Sequence, residues 1–265
     1  MSLNRPHAYQ LRYAWTCWTA RESSFPNPLP QEIIGKLPTL WETDGLHALE
    51  WDASPRQLQL LFSARPGMSP AWIAQRAKGR LQHAFRATGL SLDMQRNFRL
   101  ASVGAPKAAQ VDAYLREQLQ HGDFADPRYR DALEHLAFEI PEAGLTDPIR
   151  SAHAEYVLAY HIVLVTADRW RMPSGTASKI AEALRSCAVD QGGTIAKASL
   201  MPDHVHLAVK GRPTTSPAEL AGEIRQVTGN AAGTQGFWMP SGYLGTFGPY
   251  GMGAIRRRVR GGGRS

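Results

Sequence analysis

Apolar and polar residues alternate with a period of two in several short runs of this 265-residue chain. Between those runs the apolar residues recur at helical spacing. The clearest alternation is His204–Lys210, where Val205, Leu207 and Val209 form one row and His204 and His206 stand in the other. Successive side chains of an extended chain point to opposite faces, so this pattern predicts a strand with one apolar face. The first half predicts strands at about 8–19, 46–51, 57–63 and 98–103, and helices at about 29–37, 69–87 and 106–120. The second half predicts strands at about 156–166, 193–199, 203–210 and 242–247, and helices at about 174–190, 216–229 and 252–260. Each half thus reads strand, helix, strand, strand, helix, strand, helix, an α+β pattern with an antiparallel sheet.

The two readings match because the sequence repeats. Pro55 and Pro202 stand 147 residues apart, and the same offset joins Tyr13 to Tyr160, Thr19-Ala20 to Thr166-Ala167, Leu60 to Leu207 and Ser69-Pro70 to Ser216-Pro217. After a slip of three residues, Leu100-Ala-Ser-Val-Gly104 answers Leu244-Gly-Thr-Phe-Gly248. One spacing held over so long a stretch indicates an internal duplication. The expected domains are 1–122 and 153–265, joined by a connector at 123–152. Within it, Pro127–Phe138 predicts a helix, and Pro141, Gly144 and Pro148 break it.

The halves differ where chemistry would sit. His204 and His206 share one strand face in Met201-Pro-Asp-His-Val-His-Leu207, and such a pair makes half of a metal site. Alone, the pair reads equally as two half-exposed histidines without a ligand. The matching stretch of the first half carries Gln57 and Gln59 instead. Tyr114 stands ten residues after Gly104, on a helix with Pro106 at its start and Gln118 one turn further on. A helical tyrosine is usually a rim residue, and the glycine spacing is what singles this one out. The matching positions of the second half are Arg258 and Gly262.

Met-Pro-Asp-His-Val-His-Leu, the following Ser-Pro and Gly242-Tyr-Leu-Gly-Thr-Phe-Gly248 resemble the IS200/IS605-type transposases and their REP-associated tyrosine transposase relatives. Tyr114-Leu-Arg-Glu-Gln118 resembles that family's catalytic helix, and Lys78-Gly79-Arg80 matches a feature of the helix after its histidine strand. The resemblance implies two tandem ferredoxin- or RRM-like HUH domains forming a single-chain pseudo-dimer. It implies a nucleophilic Tyr114, a divalent ion (Mg²⁺ or Mn²⁺) on His204, His206 and Gln118, and a 5′-phosphotyrosine link to single-stranded DNA, with hairpins recognised. Each half alone departs from the family pattern. The family, however, builds its site from the tyrosine helix of one subunit and the histidines of the other, so the fused chain retains one complementary set. A phenol titrates near about 10 and needs activation to attack at neutral pH. A divalent ion would polarise the phosphate under attack. The alternatives are a hairpin DNA-binding protein without catalysis and an RNA-binding regulator on the same fold.

Composition agrees with a nucleic-acid partner. The formal net charge is +7, and arginine outnumbers lysine 24 to 6; the planar guanidinium suits phosphate. Arg76, Lys78 and Arg80, and Arg256, Arg257 and Arg258 of the basic tail, are the candidate DNA contacts, each also readable as a solvated surface group. Cys17 and Cys187 occupy unmatched repeat positions and suggest no disulfide framework, which fits a reducing cytoplasm. No apolar run is long enough to span a membrane. The expected working unit is a monomer acting as a pseudo-dimer, with higher association left open.

Overall fold

The computed structural model describes residues 7–90, 92–104, 108–117, 126–190 and 193–249. Among these it is an α+β protein with two six-stranded sheets. The chain runs through β1 (Ala8–Gln10), β2 (Arg12–Thr19), α1 (Gln31–Thr43), β3 (Leu46–Ala53), β4 (Gln57–Ala64), α2 (Pro70–Ala87), β5 (Met94–Val103) and α3 (Ala108–Glu117). It continues through α4 (Pro127–Leu136), β6 (Phe138–Glu139), β7 (Ile149–Arg150), β8 (Ala154–Val157), β9 (Ala159–Val165) and α5 (Ser174–Asp190). The last elements are β10 (Gly193–Leu200), β11 (His204–Gly211), α6 (Pro217–Ala232) and β12 (Tyr243–Phe247). The expected helix at 252–260 lies outside the described residues.

One sheet has the order β3-β4-β2-β5-β8-β7 and the other β6-β10-β11-β9-β12-β1. Four neighbouring strands of each, β3-β4-β2-β5 and β10-β11-β9-β12, are antiparallel, with the split β-α-β-β-α-β connectivity. The expectation of purely antiparallel sheets needs correction, since β1 runs parallel to β12 and β8 parallel to β5. Each sheet therefore receives a short strand from the other half of the sequence. The predicted strand at 8–19 is two strands, because β1 leaves the first sheet to join the second. The connector also supplies one edge of each sheet, β6 on β10 and β7 on β8.

The alternation decides which face each strand buries. Tyr13, Trp15 and Cys17 of β2, and Val205, Leu207 and Val209 of β11, belong to one continuous core beneath the helices. Both Ser-Pro pairs start helices. The Ser69 hydroxyl accepts from Trp72 N above Pro70, and Ser216 forms a reciprocal capping box with Glu219 above Pro217. On the opposite face of the second sheet, Val111 and Leu115 of α3 pack on Ala159, Ala208 and Phe247. The matching face of the first sheet holds a smaller cluster, Ala14, Leu61 and Val103.

The contacts between the halves come in reciprocal pairs. Ser102 Oγ donates to Phe247 O at 2.6 Å and accepts from Ala159 N at 2.9 Å. Thr246 Oγ1 donates to Val103 O at 2.7 Å and accepts from Arg12 N at 2.8 Å. Ala71 N donates to Pro213 O at 2.7 Å, and Ala218 N to Pro66 O at 3.0 Å. Between them the Tyr13 and Tyr160 hydroxyls meet at 3.2 Å, both buried. Gly104 lies against the backbone of Thr246, and Gly248 against that of Ser102, so closely that a Cβ at either would collide with a carbonyl oxygen. That approach explains glycine at both positions.

Candidate active site

The Met-Pro-Asp-His run is a hairpin turn followed by a strand. Met201 N donates to His204 O at 2.8 Å around Pro202 and Asp203, with proline in the turn position that suits its fixed φ. Ser54 N to Gln57 O, also 2.8 Å, closes the same turn in the first half. His204 and His206 emerge on the face of β11 away from its core row, beside Ala208, on which α3 rests.

The two imidazoles converge. Their Nε2 atoms are 3.0 Å apart. Asp203 Oδ1 lies 2.6 Å from His204 Nδ1. A carboxylate only accepts, so Nδ1 carries the proton there and Nε2 presents a lone pair. Asp203 is held in turn by Arg169, whose Nε is 2.8 Å from Oδ2. His206 is 5 % exposed, and its Nδ1 lies 3.0 Å from His161 Nε2 with the two rings stacked. Burial, followed by the neighbouring His161 and His204, pushes the His206 pKa down to about 3. Burial alone lowers that of His161 to about 4. Both rings are therefore neutral near pH 7, the form in which imidazole ligates metal.

Tyr114 comes from α3, in the other half of the sequence, and the structure brings it to these rings. Its ring stands edge-on to His206 with centroids 5.5 Å apart and to His161 at 6.0 Å. The phenol is 47 % exposed and faces a cavity of about 510 Å³ lined also by Gln110, Val163 and Tyr243. The site thus has a wall of histidines, an accessible hydroxyl and open space between them.

Gln118 and Arg256, Arg257 and Arg258 lie outside the described residues. Arg76, Lys78 and Arg80 are on α2, in the first half, where each makes an intramolecular contact. Arg80 forms a two-pronged pair with Asp44 at 2.7 and 3.0 Å, Arg76 stacks over Trp72 at 4.0 Å, and Lys78 Nζ donates to Gln95 O at 2.7 Å. Sequence reasoning missed three neighbours of the histidines. Asp203 was visible only as part of a motif. His161 had a signal in the repeat, since its counterpart is Ala14. Tyr243, edge-on to His161 at 5.6 Å, has Arg99 as its counterpart.

Among the described residues no three His, Cys, Asp or Glu side chains converge to hold an ion. His161 adds no third ligand because its Nε2 is turned to His206. The two converging Nε2 atoms do fit one: nitrogens 3.0 Å apart match neighbouring ligands about 2.1 Å from an ion at a right angle, as in octahedral coordination. The remaining positions need oxygen donors from elsewhere.

Residues 154–246, the stretch containing β9 to β12 and all three histidines, match the family described as "Transposase IS200 like". Over this segment the chain is similar to the IS200-like transposases. Among solved structures, a chain from Deinococcus radiodurans R1 with a provisional transposase assignment is similar at 19 % identity, covering 44 % of this chain and 98 % of its own length, with a TM-score of 0.33. No curated protein matches. The transposase-family segment ends before the tail arginines and contains no counterpart of Tyr114, so the phenol at its histidine wall is supplied by a part of the chain outside the match. Among the described residues no helix is long and apolar enough to cross a membrane.

Proposed function

We propose that this transposase-family chain cleaves and rejoins single-stranded DNA, with Tyr114 as nucleophile at one composite site. The observation that carries the reading is the edge-on contact between Tyr114 and His206, 5.5 Å between centroids, made by residues from opposite halves of the repeat. Tyr114 Oη attacks a DNA phosphorus. The P–O3′ bond breaks, a 5′-phosphotyrosine ester forms, the phenol loses its proton and the departing 3′ oxygen gains one. Attack by another 3′ hydroxyl reverses the step and joins new ends. His204 and His206 would hold a divalent ion, Mg²⁺ or Mn²⁺, and Gln118, four residues after Tyr114 in the sequence, would offer an amide oxygen. Such an ion supplies charge stabilisation at the phosphate oxygens. Asp203 and His161 fix the rings that would hold it.

The same reading makes the chain a covalent pseudo-dimer of two HUH domains. Its support is the set of reciprocal contacts between residues related by the repeat offsets, with Tyr13 and Tyr160 meeting where a two-fold axis would pass. A two-fold arrangement makes every contact occur twice with the partners exchanged. One half carries the tyrosine and the other the histidines, so one site works, and hairpin DNA is the expected substrate. A labelled hairpin oligonucleotide incubated with Mn²⁺ should yield a cleaved strand and a protein-linked end. Tyr114→Phe should yield neither while still binding the hairpin. A protein-linked end in Tyr114→Phe overturns the assignment.

A further inference from the structure

The residues between β9 and α5 form a turn that none of the roles above uses. Asp168 and Arg169 are both left-handed, with φ of 53° and 58°, and are the non-glycine residues with positive φ among those described. Two such residues in succession are costly unless surrounding contacts fix them. The contacts are present. Thr166 Oγ1 donates to Trp170 O at 2.7 Å, Trp170 N donates to Ala167 O, and Met172 N donates to Pro202 O at 2.7 Å. The turn's product is an exposed tryptophan: Trp170 is 53 % exposed, and its ring is braced edge-on by Phe237 at 6.3 Å. Tryptophan at that exposure has lost most of the burial its large apolar surface favours.

The turn is coupled to the candidate active site. Arg169 holds Asp203, which holds His204, and the backbone of Thr166 donates to Asp203 O at 2.9 Å. Arg169 and Arg171 precede and follow Trp170 in the sequence; Arg169 is paired with Asp203 at 2.8 Å, and the Arg171 guanidinium lies over the Tyr129 ring at 3.9 Å. The first half carries Ser23 at the matching position, so the aromatic is found only in the half with the histidines. A rigid, exposed indole can stack on any base, whatever the sequence.

We infer that Trp170 is a stacking platform for an unpaired nucleobase of the DNA strand entering the site. This rests on the proposed function. The test is fluorescence anisotropy with a labelled single-stranded oligonucleotide, in a Tyr114→Phe parent so that only binding is read. Trp170→Ala should weaken binding about tenfold and Trp170→Tyr much less, with unchanged melting temperatures because the ring is exposed. One abasic position in the oligonucleotide should reproduce that loss in the parent and add nothing in Trp170→Ala. Equal affinities of the parent and Trp170→Ala, or abasic losses that simply add to the substitution, overturn the platform and leave the proposed function standing if wild-type protein still cleaves. A parent that binds no single strand at all overturns both.

Discussion

β4 and β11 hold matching places in the two sheets and differ in what they carry. Each lies between a first and a second strand of its half, follows a Pro-containing turn closed by a 2.8 Å hydrogen bond, and keeps an apolar row against its helices. On the other row β4 offers Gln57 and Gln59, opposite Trp18 and Thr16 of β2. β11 offers His204 and His206, opposite Val165 and Val163 of β9. The overlying faces differ too. Tyr114 reaches the histidines on α3, which is seated on Ala159, Ala208 and Phe247, whereas the matching positions of the first sheet are Arg12, Leu61 and Val103. Both halves keep the turn, the strand pairing and the apolar row, while the histidines stand on one half and Tyr114 on the other.

The largest expected effect is on the β11 side. His206→Ala should reduce metal-dependent cleavage to background in an oligonucleotide assay, while Gln59→Ala at the matching place should leave it unchanged. Building the missing pair is the converse test. Gln57→His with Gln59→His should add no second cleaving site, because the sequence counterpart of Tyr114 is Arg258, which is no nucleophile; a doubled yield of protein-linked DNA would break the comparison.

A smaller effect is expected one step back from the ligands. His161→Asn should weaken Mn²⁺ binding by about tenfold in a titration followed by electron paramagnetic resonance, since it removes the partner that orients His206. Ala14→His, its mirror in the first half, should leave the affinity as it was.

The interface offers a symmetric comparison. Ser102→Ala removes the hydroxyl that bridges Ala159 N and Phe247 O, and Thr246→Val the one that bridges Arg12 N and Val103 O. Each should cost about 1–3 kcal/mol in urea unfolding. Similar losses support equivalent roles; a loss confined to one of them contradicts it.

A further effect is on pH dependence. His161 and His206 titrate near about 4 and about 3 in the folded chain, below the 6.5 or so of a free imidazole. As pH falls below about 6.5 the unfolded chain binds protons that the folded chain refuses, so stability drops toward pH 4. Urea midpoints of the metal-free protein should fall over that window, and less steeply in His161→Asn.

Much of this was legible in the sequence because alternation and capping are local. The apolar row of β11 and the helices beginning near residues 69 and 216 follow from neighbouring residues. The exchange of β1 and β8 between sheets was not legible, since the pattern of a three- or four-residue strand says nothing of its partner. The same limit applies to Arg80, whose charge is met by Asp44 from a distant segment. Tyr114, His204 and His206 could be singled out because the repeat gave each a mismatched counterpart. His161 and Trp170 carry the same kind of mismatch, with Ala14 and Ser23, but only the fold shows that they stand beside the histidines.

The central claim is that Tyr114 from one half and the histidines from the other make one working site within a chain. Intact-mass measurement of the trapped protein–DNA adduct, followed by peptide mapping, tests it most directly. The account predicts one oligonucleotide per chain, attached to the peptide containing Tyr114 and absent from His206→Ala. Two oligonucleotides per chain, or an attachment at any other residue, would contradict it.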